Sequence, residues 1–334
     1  MWGGLVTTQD PGHPKLVCER WENVTSLIVQ RDGFANFYHS SEDWVNAWLA
    51  MAILNLSVSE TQVFLTDLHP WGPFKDMWTS VFGWKHPVLN AWDLQSKYAG
   101  QRVCFRRAII SIFGPASPFT FISAGLPPGT SALMMAFTDF VTRSMRLHPY
   151  TYAARPAPPK SVHMTWISRR SSVIWPERRF CDNSSFFTCA TFQHLGIRKL
   201  QRTISNEAAV VNELRALAAR RHGPLNHSVT LTEVDFNIMT LKEQISVALM
   251  TDIMIGPHGA GLTHQMFMPD RSELIELFPG VSEANQHFHN MAEWRGRQRF
   301  LRYHSIVSDG NKVNSQEIGN LVRKRLALFN TSLY

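Results

Sequence analysis

The 334-residue sequence has no uninterrupted apolar run long enough to cross a membrane. Its longest mostly apolar segment, Trp44 to Leu56, is broken by Asn46 and Asn55, whereas a bilayer span needs roughly 20 apolar residues. The first residues, Met1 to Gly4, have neither the basic start nor the apolar centre of a signal peptide. We therefore expect contact with a membrane only through an anchor that is absent from this sequence.

Three motifs that indicate other chemistries are also missing. No Gly-Lys-Ser/Thr closes a glycine-rich loop, which excludes a P-loop nucleotidase, and no Gly-x-Ser-x-Gly elbow supplies the nucleophile of an esterase-type hydrolase. No Asp-x-Asp pair offers two carboxylates that could hold a divalent metal against bound phosphates. We therefore expect no metal and no other cofactor.

The first half of the chain lacks net charge, and the second half is basic. Residues 1–150 contain 11 Lys and Arg against 11 Asp and Glu, whereas residues 151–334 contain 22 against 15. The basic residues include scattered pairs such as Arg169-Arg170 and Arg220-Arg221 and form no stripe interleaved with aromatic side chains. This pattern argues against nucleic acid as a partner and favours a small-anion site in the second half.

Cysteine is scarce, and four cysteines allow three pairings. Cys181 and Cys189 lie in a short polar segment and are the preferred disulfide, with Cys18 and Cys104 as a second pair. Four buried free thiols in a cytosolic protein are the alternative.

Sequons of the form Asn-x-Ser/Thr, which accept N-glycans in secreted proteins, occur at Asn23, Asn55, Asn183, Asn226 and Asn330. They favour a luminal or secreted protein.

The segment 151–160 holds three prolines and little apolar content, and it is typical of an interdomain linker. After it, strand and helix patterns alternate, which predicts a doubly wound parallel sheet. The predicted strands are His163–Ile167, Ser228–Val234, Asp252–Gly256 and Glu273–Phe278, and the predicted helices are Asn206–Arg220, Leu241–Met250 and a short one from Leu262.

The first half shows the same alternation less clearly. Its predicted strands are Ser26–Val29, Gln62–Leu65 and Val103–Ile110, and its predicted helices lie near Asn36–Ile53, Phe74–Phe82 and Thr130–Leu147. We therefore expect an α/β protein of two Rossmann-like domains that face a central cleft. Residues 1–150 and 161–310 are the predicted domains, and residues 311–334 are the predicted carboxyl-terminal helix.

The most informative motif lies between Asp252 and His264. A strand ends at Ile255, a turn of small residues follows, and a helix starts behind it; the small residues are Gly256, Gly259, Ala260 and Gly261. Small residues let the backbone approach a ligand, and the N–H groups and dipole at a helix start suit a diphosphate. His258 adds a side-chain donor. The glycine pattern and spaced acid of a dinucleotide fingerprint are absent, and an ordinary tight turn is the alternative.

Two further segments lie at the carboxyl ends of predicted strands, where ligands bind in open α/β sheets. Ser168, Arg169 and Arg170 follow the first strand of the second half, and the planar fork of arginine suits a diphosphate. Glu276 lies near the end of its strand and could accept hydrogen bonds from ribose hydroxyls. A surface arginine pair and an ion-paired acid are the ordinary alternatives.

The motif His-Gly-Ala-Gly-Leu at His258–Leu262, followed by a strand with the acid Glu276, resembles glycosyltransferase family 61. Other segments are similar to the plant β-1,2-xylosyltransferase subgroup of that family: Ile28–Asp43, Asp67–Trp78, Phe113–Ala116, Ala190–Arg198 with Cys181 and Cys189 before it, and Asn285–His289. The resemblance extends from roughly Trp21 to Arg302.

This resemblance implies a GT-B-like fold and inversion at the anomeric carbon. It implies UDP-xylose as the nucleotide-sugar donor, the core β-mannose of a glycoprotein N-glycan as the acceptor, and a type II membrane protein of the Golgi lumen. The family also contains N-acetylglucosaminyl- and arabinosyltransferases, so those donors stay open. A non-catalytic protein that binds sugars through some of its 11 tryptophans is a further alternative.

Inversion requires a base that takes the proton of the acceptor hydroxyl. Asn36, His39 and Asp43 form an Asn-x-x-His-x-x-x-Asp pattern that is associated with other members of the family, and the last two share one face of the predicted helix start. Either could be the base, or Asp43 could orient His39. Asp67, just beyond a strand, is a third candidate. A helix-face acid and a packed imidazole are the structural alternative.

Overall fold

The computed structural model describes residues 17–118, 131–147, 161–169, 203–220, 228–280, 285–295, 301–308 and 310–328. Several predictions fall outside these residues, namely the linker 151–160, Arg170, the pair Cys181 and Cys189, and segment Ala190–Arg198. The described residues form a mixed α/β structure with parallel sheets, as predicted.

Ten strands and seven α-helices are numbered here along the described residues. The strands are β1 (Arg20–Glu22), β2 (Thr25–Val29), β3 (Thr61–Leu65), β4 (Val103–Phe105), β5 (Ala108–Ile110), β6 (Ser161–Ile167), β7 (Ser228–Val234), β8 (Ile253–Pro257), β9 (Glu273–Pro279) and β10 (Arg302–Ser308). The helices are α1 (Phe37–Ile53), α2 (Ala91–Tyr98), α3 (Ala132–Ser144), α4 (Glu207–Ala218), α5 (Leu241–Met250), α6 (His287–Glu293) and α7 (Ser315–Leu328). In the described part of the chain, none of these helices is both long and apolar enough to cross a bilayer.

The second half forms a parallel five-stranded sheet in the order β10-β9-β8-β6-β7. Its central strands β8 and β9 are buried along their whole length, because helices cover both faces of the sheet. Helices α4 and α7 pack on one face, and α5 packs on the other. The predicted doubly wound arrangement of this half is confirmed.

The first half forms a parallel three-stranded sheet in the order β3-β2-β5, beside a parallel pair of β1 and β4. The single strand predicted over Val103–Ile110 is wrong, because the chain turns at Arg106 and Arg107. The Arg106 N–H donates to the carbonyl of Glu22, whereas the Ser26 N–H donates to the carbonyl of Arg107. The two short strands therefore enter different sheets.

A disulfide joins Cys18 to Cys104, with 5.7 Å between their Cα atoms. It ties the segment before β1 to β4, and it confirms the second of the two predicted pairings. Disulfides persist mainly in oxidising compartments, so this bond agrees with the luminal location that the sequons favour.

The amino end of α1 is set by its capping residue. The side-chain oxygen of Asn36 accepts hydrogen bonds from the N–H groups of Tyr38 and His39, so the helix begins at Phe37. The Thr240 and Glu243 pair caps α5 reciprocally, as the sequence pattern predicts. Helix α1 thereby presents His39 in its first turn, at the carboxyl end of strand β2.

The two halves share an apolar core. Helix α1 packs on the 3₁₀-helix Ala260–Phe267 of the second half. The buried ring of His264 lies between Phe37, at 3.8 Å, and Phe236, at 4.1 Å between ring centroids. Burial lowers the pKa of His264 to about 3, so this ring is neutral at physiological pH. Along α1 the described residues therefore show a packed junction between the two halves.

Candidate active site

His39 lies in a carboxylate cluster at the carboxyl end of β2. Its Nδ1–H donates to Glu42 Oε2 at 3.0 Å and also lies 3.1 Å from Asp32 Oδ2. The hydrogen bond to Glu42 is the main reason why the pKa of His39 is raised. Because Nδ1 is engaged, Nε2 is the ring nitrogen left to face a substrate, and 45% of the side chain is exposed. The arrangement is that of a histidine base oriented by carboxylates.

Asp43, the other predicted candidate for the base in this helix, lies beside Asp32. Its side chain is buried, and Oδ2 accepts a hydrogen bond from the Asp32 N–H at 3.0 Å. Burial raises the pKa of Asp43 to about 8. Gly114 covers this carboxyl so closely that an added Cβ would lie 2.8 Å from Asp43 Oδ1. Glu42 and Asp32 are therefore the carboxylates in contact with His39 Nδ1, and Asp43 accepts a hydrogen bond from the backbone of Asp32.

Asp67 is paired with Arg31. The guanidinium donates to both carboxylate oxygens, with 2.7 Å between Nη2 and Oδ1, and the Arg31 N–H donates to Oδ2. Both side chains are almost completely buried. Because the guanidinium and the Arg31 N–H engage both carboxylate oxygens, neither oxygen faces an acceptor hydroxyl. Asp67 thus ties the loop after β3 to the end of β2, and the geometry argues against it as the base.

The small-residue turn of the second half lies against Arg169. Gly259 has a φ angle of +152°, and a Cβ added there would lie 2.1 Å from Arg169 Nη2. Only glycine allows this approach. Gly259 also caps the 3₁₀-helix that begins at Ala260, and the first bond of this helix runs from the Leu262 N–H to the Gly259 carbonyl. The N–H groups of Ala260 and Gly261 come before this bond and have no intrahelical partner. The guanidinium and these N–H groups are both donors suited to phosphate oxygens.

Ser168 comes directly before Arg169 in the chain. Its backbone N–H donates to the carbonyl of Val234 at 2.8 Å, which aligns the residue with the end of the sheet. Its buried Oγ has no hydrogen-bond partner among the described residues. A hydroxyl in this condition can be satisfied by a ligand oxygen. Arg170, the third member of the predicted segment, lies outside the described residues.

Glu276, which was predicted to accept hydrogen bonds from ribose hydroxyls, lies in β9 with both carboxylate oxygens in hydrogen bonds. The side chain is fully buried, Oε1 bonds to Nδ1 of His258, and Oε2 accepts a hydrogen bond from the Tyr303 hydroxyl at 2.7 Å. The contact with ribose hydroxyls stays a prediction. Within the described residues, Glu276 fixes the tautomer and orientation of His258, whose ring also stacks on Phe278 at 5.2 Å. The Nε2 atom is the nitrogen of His258 left for a ligand.

Helix α6 connects the two groups of residues. The Tyr38 hydroxyl and His287 Nδ1 are 2.9 Å apart, and Tyr38 precedes His39 in the chain. The ring of Phe288 lies 6.1 Å from the ring of Tyr38 and 5.3 Å from the ring of His258. Two aromatic contacts thus separate the His39 cluster from the small-residue turn.

Several residues of this region were not predicted from the sequence. Glu42 follows His39 by three positions, a helical spacing that could have indicated the contact. Phe288 belongs to a segment noted only for its resemblance to the family. No sequence pattern indicated Tyr303 as a site residue, because its contact with Glu276 depends on β10 lying beside β9.

The cluster around His39 could also hold a divalent cation, through Asp32, His39 and Glu42. Each offers one ligand atom, and these atoms lie within 4.8 Å of one another. Carboxylates and imidazole are common ligands of such ions. The expectation of a metal-independent protein rests on the missing Asp-x-Asp motif, and this cluster is the place in the described residues where that expectation can fail.

Known proteins resemble this chain over much of its length. Residues 136–275 match the family model described as glycosyltransferase 61. A β-1,2-xylosyltransferase of Arabidopsis thaliana is 26% identical over 305 residues, which cover 87% of this chain and 53% of that protein. An EGF domain-specific O-linked N-acetylglucosamine transferase of Drosophila melanogaster is 24% identical over 276 residues, which cover 80% of this chain and 44% of that protein.

A β-1,2-xylosyltransferase of Oryza sativa subsp. japonica is 24% identical over 312 residues, which cover 92% of this chain and 53% of that protein. The chain spans about half the length of the curated relatives it matches. The family match includes Ser168, Arg169 and the turn from His258 to Gly261, and the longer alignments cover parts of both halves of the chain. Residues 136–275 therefore match a glycosyltransferase 61 domain, and the plant relatives extend the similarity over most of the chain.

Proposed function

We propose that this chain is the catalytic part of an inverting glycosyltransferase that uses a UDP-sugar donor. The observation that carries the proposal is the junction formed by Tyr38, His287 and Phe288, where a carboxylate-oriented histidine lies two aromatic contacts away from a phosphate-type turn. A transferase needs both parts side by side, because the acceptor attacks the anomeric carbon next to the diphosphate. A sugar-binding protein without chemistry needs neither.

The turn and its neighbours form the donor side of the proposed site. Arg169, the Ser168 hydroxyl and the N–H groups at the start of the 3₁₀-helix bind the diphosphate, and His258 directly precedes this turn. Charge that develops on the leaving diphosphate is stabilised best by donors already in place. The glycine turn and the contact of Glu276 with His258 both fix the positions of these side chains and N–H groups before the substrate binds. We assign the two sheets to the two Rossmann-like halves of a GT-B-like enzyme.

His39 is the proposed base. Its Nε2 takes the proton of the acceptor hydroxyl as the oxygen attacks the anomeric carbon, and the carbon–oxygen bond to UDP breaks on the opposite face. The imidazolium that forms is stabilised by Glu42 and Asp32. Asp43, whose pKa near 8 leaves it mostly neutral at pH 7, supports Asp32 without adding a further negative charge. The reaction needs no other proton acceptor.

We propose UDP-xylose as the donor and the core β-mannose of a glycoprotein N-glycan as the acceptor, because two plant relatives are named β-1,2-xylosyltransferases. The relatives named as N-acetylglucosamine transferases for EGF domains support UDP-N-acetylglucosamine as a second candidate. The Cys18–Cys104 disulfide supports a luminal compartment of the secretory pathway, with the Golgi as the proposed location.

A donor screen on the purified chain tests the activity. We expect UDP release with UDP-xylose in the presence of an N-glycan acceptor, and little release with UDP-arabinose or without acceptor. Faster release with UDP-N-acetylglucosamine and an EGF-domain acceptor would select the second candidate. UDP binding without turnover on any donor would contradict the catalytic proposal and indicate a sugar-binding protein.

Chelation tests the proposed independence of metal. We expect transfer to continue at an unchanged rate in EDTA, since cationic side chains and helix N–H groups, and no ion, bind the diphosphate in this proposal. The measurement is initial rate with and without EDTA, followed by addition of Mn²⁺. Loss of activity that Mn²⁺ restores would overturn the proposal and direct attention to Asp32, His39 and Glu42 as the metal ligands.

A further inference from the structure

A cluster outside the candidate active site contains Trp21, Asn23 and Arg106. Trp21 is 49% exposed, although a large aromatic side chain gains most from burial. The guanidinium of Arg106 lies 5.1 Å from the centre of the Trp21 ring. Its Nε donates to the side-chain oxygen of Asn23 at 3.4 Å. Because Arg106 contacts both residues, the exposed indole and the Asn23 amide lie next to each other.

Asn23 is also the first residue of a sequon that Thr25 completes. The residue is exposed, and its Oδ1 is the atom that Arg106 contacts. The other amide atom, Nδ2, is the one that carries the sugar in an N-glycan. The hydrogen bond to Arg106 therefore persists after attachment and holds the amide in place.

We propose that Asn23 carries an N-glycan whose first sugar packs against the exposed part of the Trp21 ring. In the transfer, Asn23 Nδ2 replaces the lipid diphosphate of a lipid-linked oligosaccharide at the anomeric carbon. A carbon–nitrogen bond forms, the carbon–oxygen bond to the diphosphate breaks, and the amide proton leaves to a base of the transferring enzyme. The apolar face of a sugar then covers apolar indole surface that the fold leaves in water.

The position of Asn23 is compatible with transferase activity. Asn23 precedes β2, whereas the His39 cluster follows the carboxyl end of the same strand. Five residues of extended chain separate the two ends of β2 by about 17 Å. A glycan at Asn23 thus projects from the opposite edge of the sheet and leaves the candidate site open. The inference does not depend on the donor sugar.

The test uses the full chain secreted from eukaryotic cells behind a secretory leader. We expect mass spectrometry to show a glycan on the peptide that contains Asn23, and peptide N-glycosidase to convert this residue to Asp. Thr25→Ser should keep the glycan, and Thr25→Ala should abolish it. An unmodified Asn23 in the secreted wild-type chain would overturn the proposal.

The stacking contact has its own readout. Trimming the glycan to its first sugar should leave the melting temperature of the wild-type chain unchanged, and complete removal should lower it by about 1–3 °C, as expected for one stacking contact. In Trp21→Ala this difference should vanish while the glycan stays attached. Trp92→Ala, which removes another exposed tryptophan, is the matched control and should keep the difference. If complete removal of the glycan lowers the melting temperature of Trp21→Ala as much as that of the wild-type chain, the stacking part of the proposal is contradicted.

Discussion

Replacing His39 with alanine should lower kcat by roughly 100- to 10,000-fold, the range for loss of general-base catalysis. Donor binding should stay close to wild type, because the diphosphate contacts lie in the second half of the chain. The measurements are single-turnover transfer rates and UDP affinity by calorimetry. Since the side chain is 45% exposed, the variant should fold, and its melting temperature verifies this. His86→Ala, in a polar groove with Asn23 and Arg107, is a control that should keep full activity.

The pH dependence gives a second test of the same base. A base must be unprotonated to work, so kcat should fall as pH drops through the pKa of His39, which is raised above 6.5. Glu42→Gln removes the largest cause of the raised pKa, so the acid limb of the kcat profile should move to lower pH. Wild-type turnover in His39→Ala, or an acid limb that Glu42→Gln does not move, would contradict the assignment. In that case Asp43, with a pKa near 8, becomes the candidate to test.

Replacing Arg169 with alanine should weaken UDP binding by about 1.5–3 kcal/mol, the value of a hydrogen bond to a charged group. This corresponds to an increase in Kd of about 10- to 150-fold. Arg169→Lys should recover only part of the affinity, because an ammonium keeps the charge but not the planar fork. Calorimetric titration with UDP is the measurement. Arg215→Ala, which removes an exposed arginine paired with Glu233, should leave the Kd unchanged.

Gly259 provides an independent check of this contact. A Cβ at this position would lie 2.1 Å from the Arg169 guanidinium, so Gly259→Ala must displace the arginine or shift the turn. We expect Gly259→Ala to lose UDP affinity about as much as Arg169→Ala does. In the double variant the loss of binding free energy should be smaller than the sum of the two single losses, because both changes disturb the same contact. Unchanged affinity in Arg169→Ala would remove this arginine from the donor site. The same change then has to be made at Arg170.

Local features of the sequence were sufficient to predict most helices and strands of the second half. The strand Ser228–Val234 and the helix Leu241–Met250 have the predicted bounds, because periodicity and a capping box act within a few residues of chain. The first half was harder to predict. Its strands are three to five residues long, and the bend at Arg106 depends on which neighbouring strand each piece joins.

By itself, the sequence determined the α/β class, the segments that carry the candidate phosphate-binding and base residues, and the resemblance to a family. Those depend on residue types at short spacing. Only the tertiary structure decided the role of each acidic side chain. Asp67 is paired with Arg31, Glu276 with His258, and His39 with Glu42 and not Asp43. Burial and long-range partners set the charge and accessibility of a carboxyl group, and both arise only when distant strands are brought to one edge of a sheet.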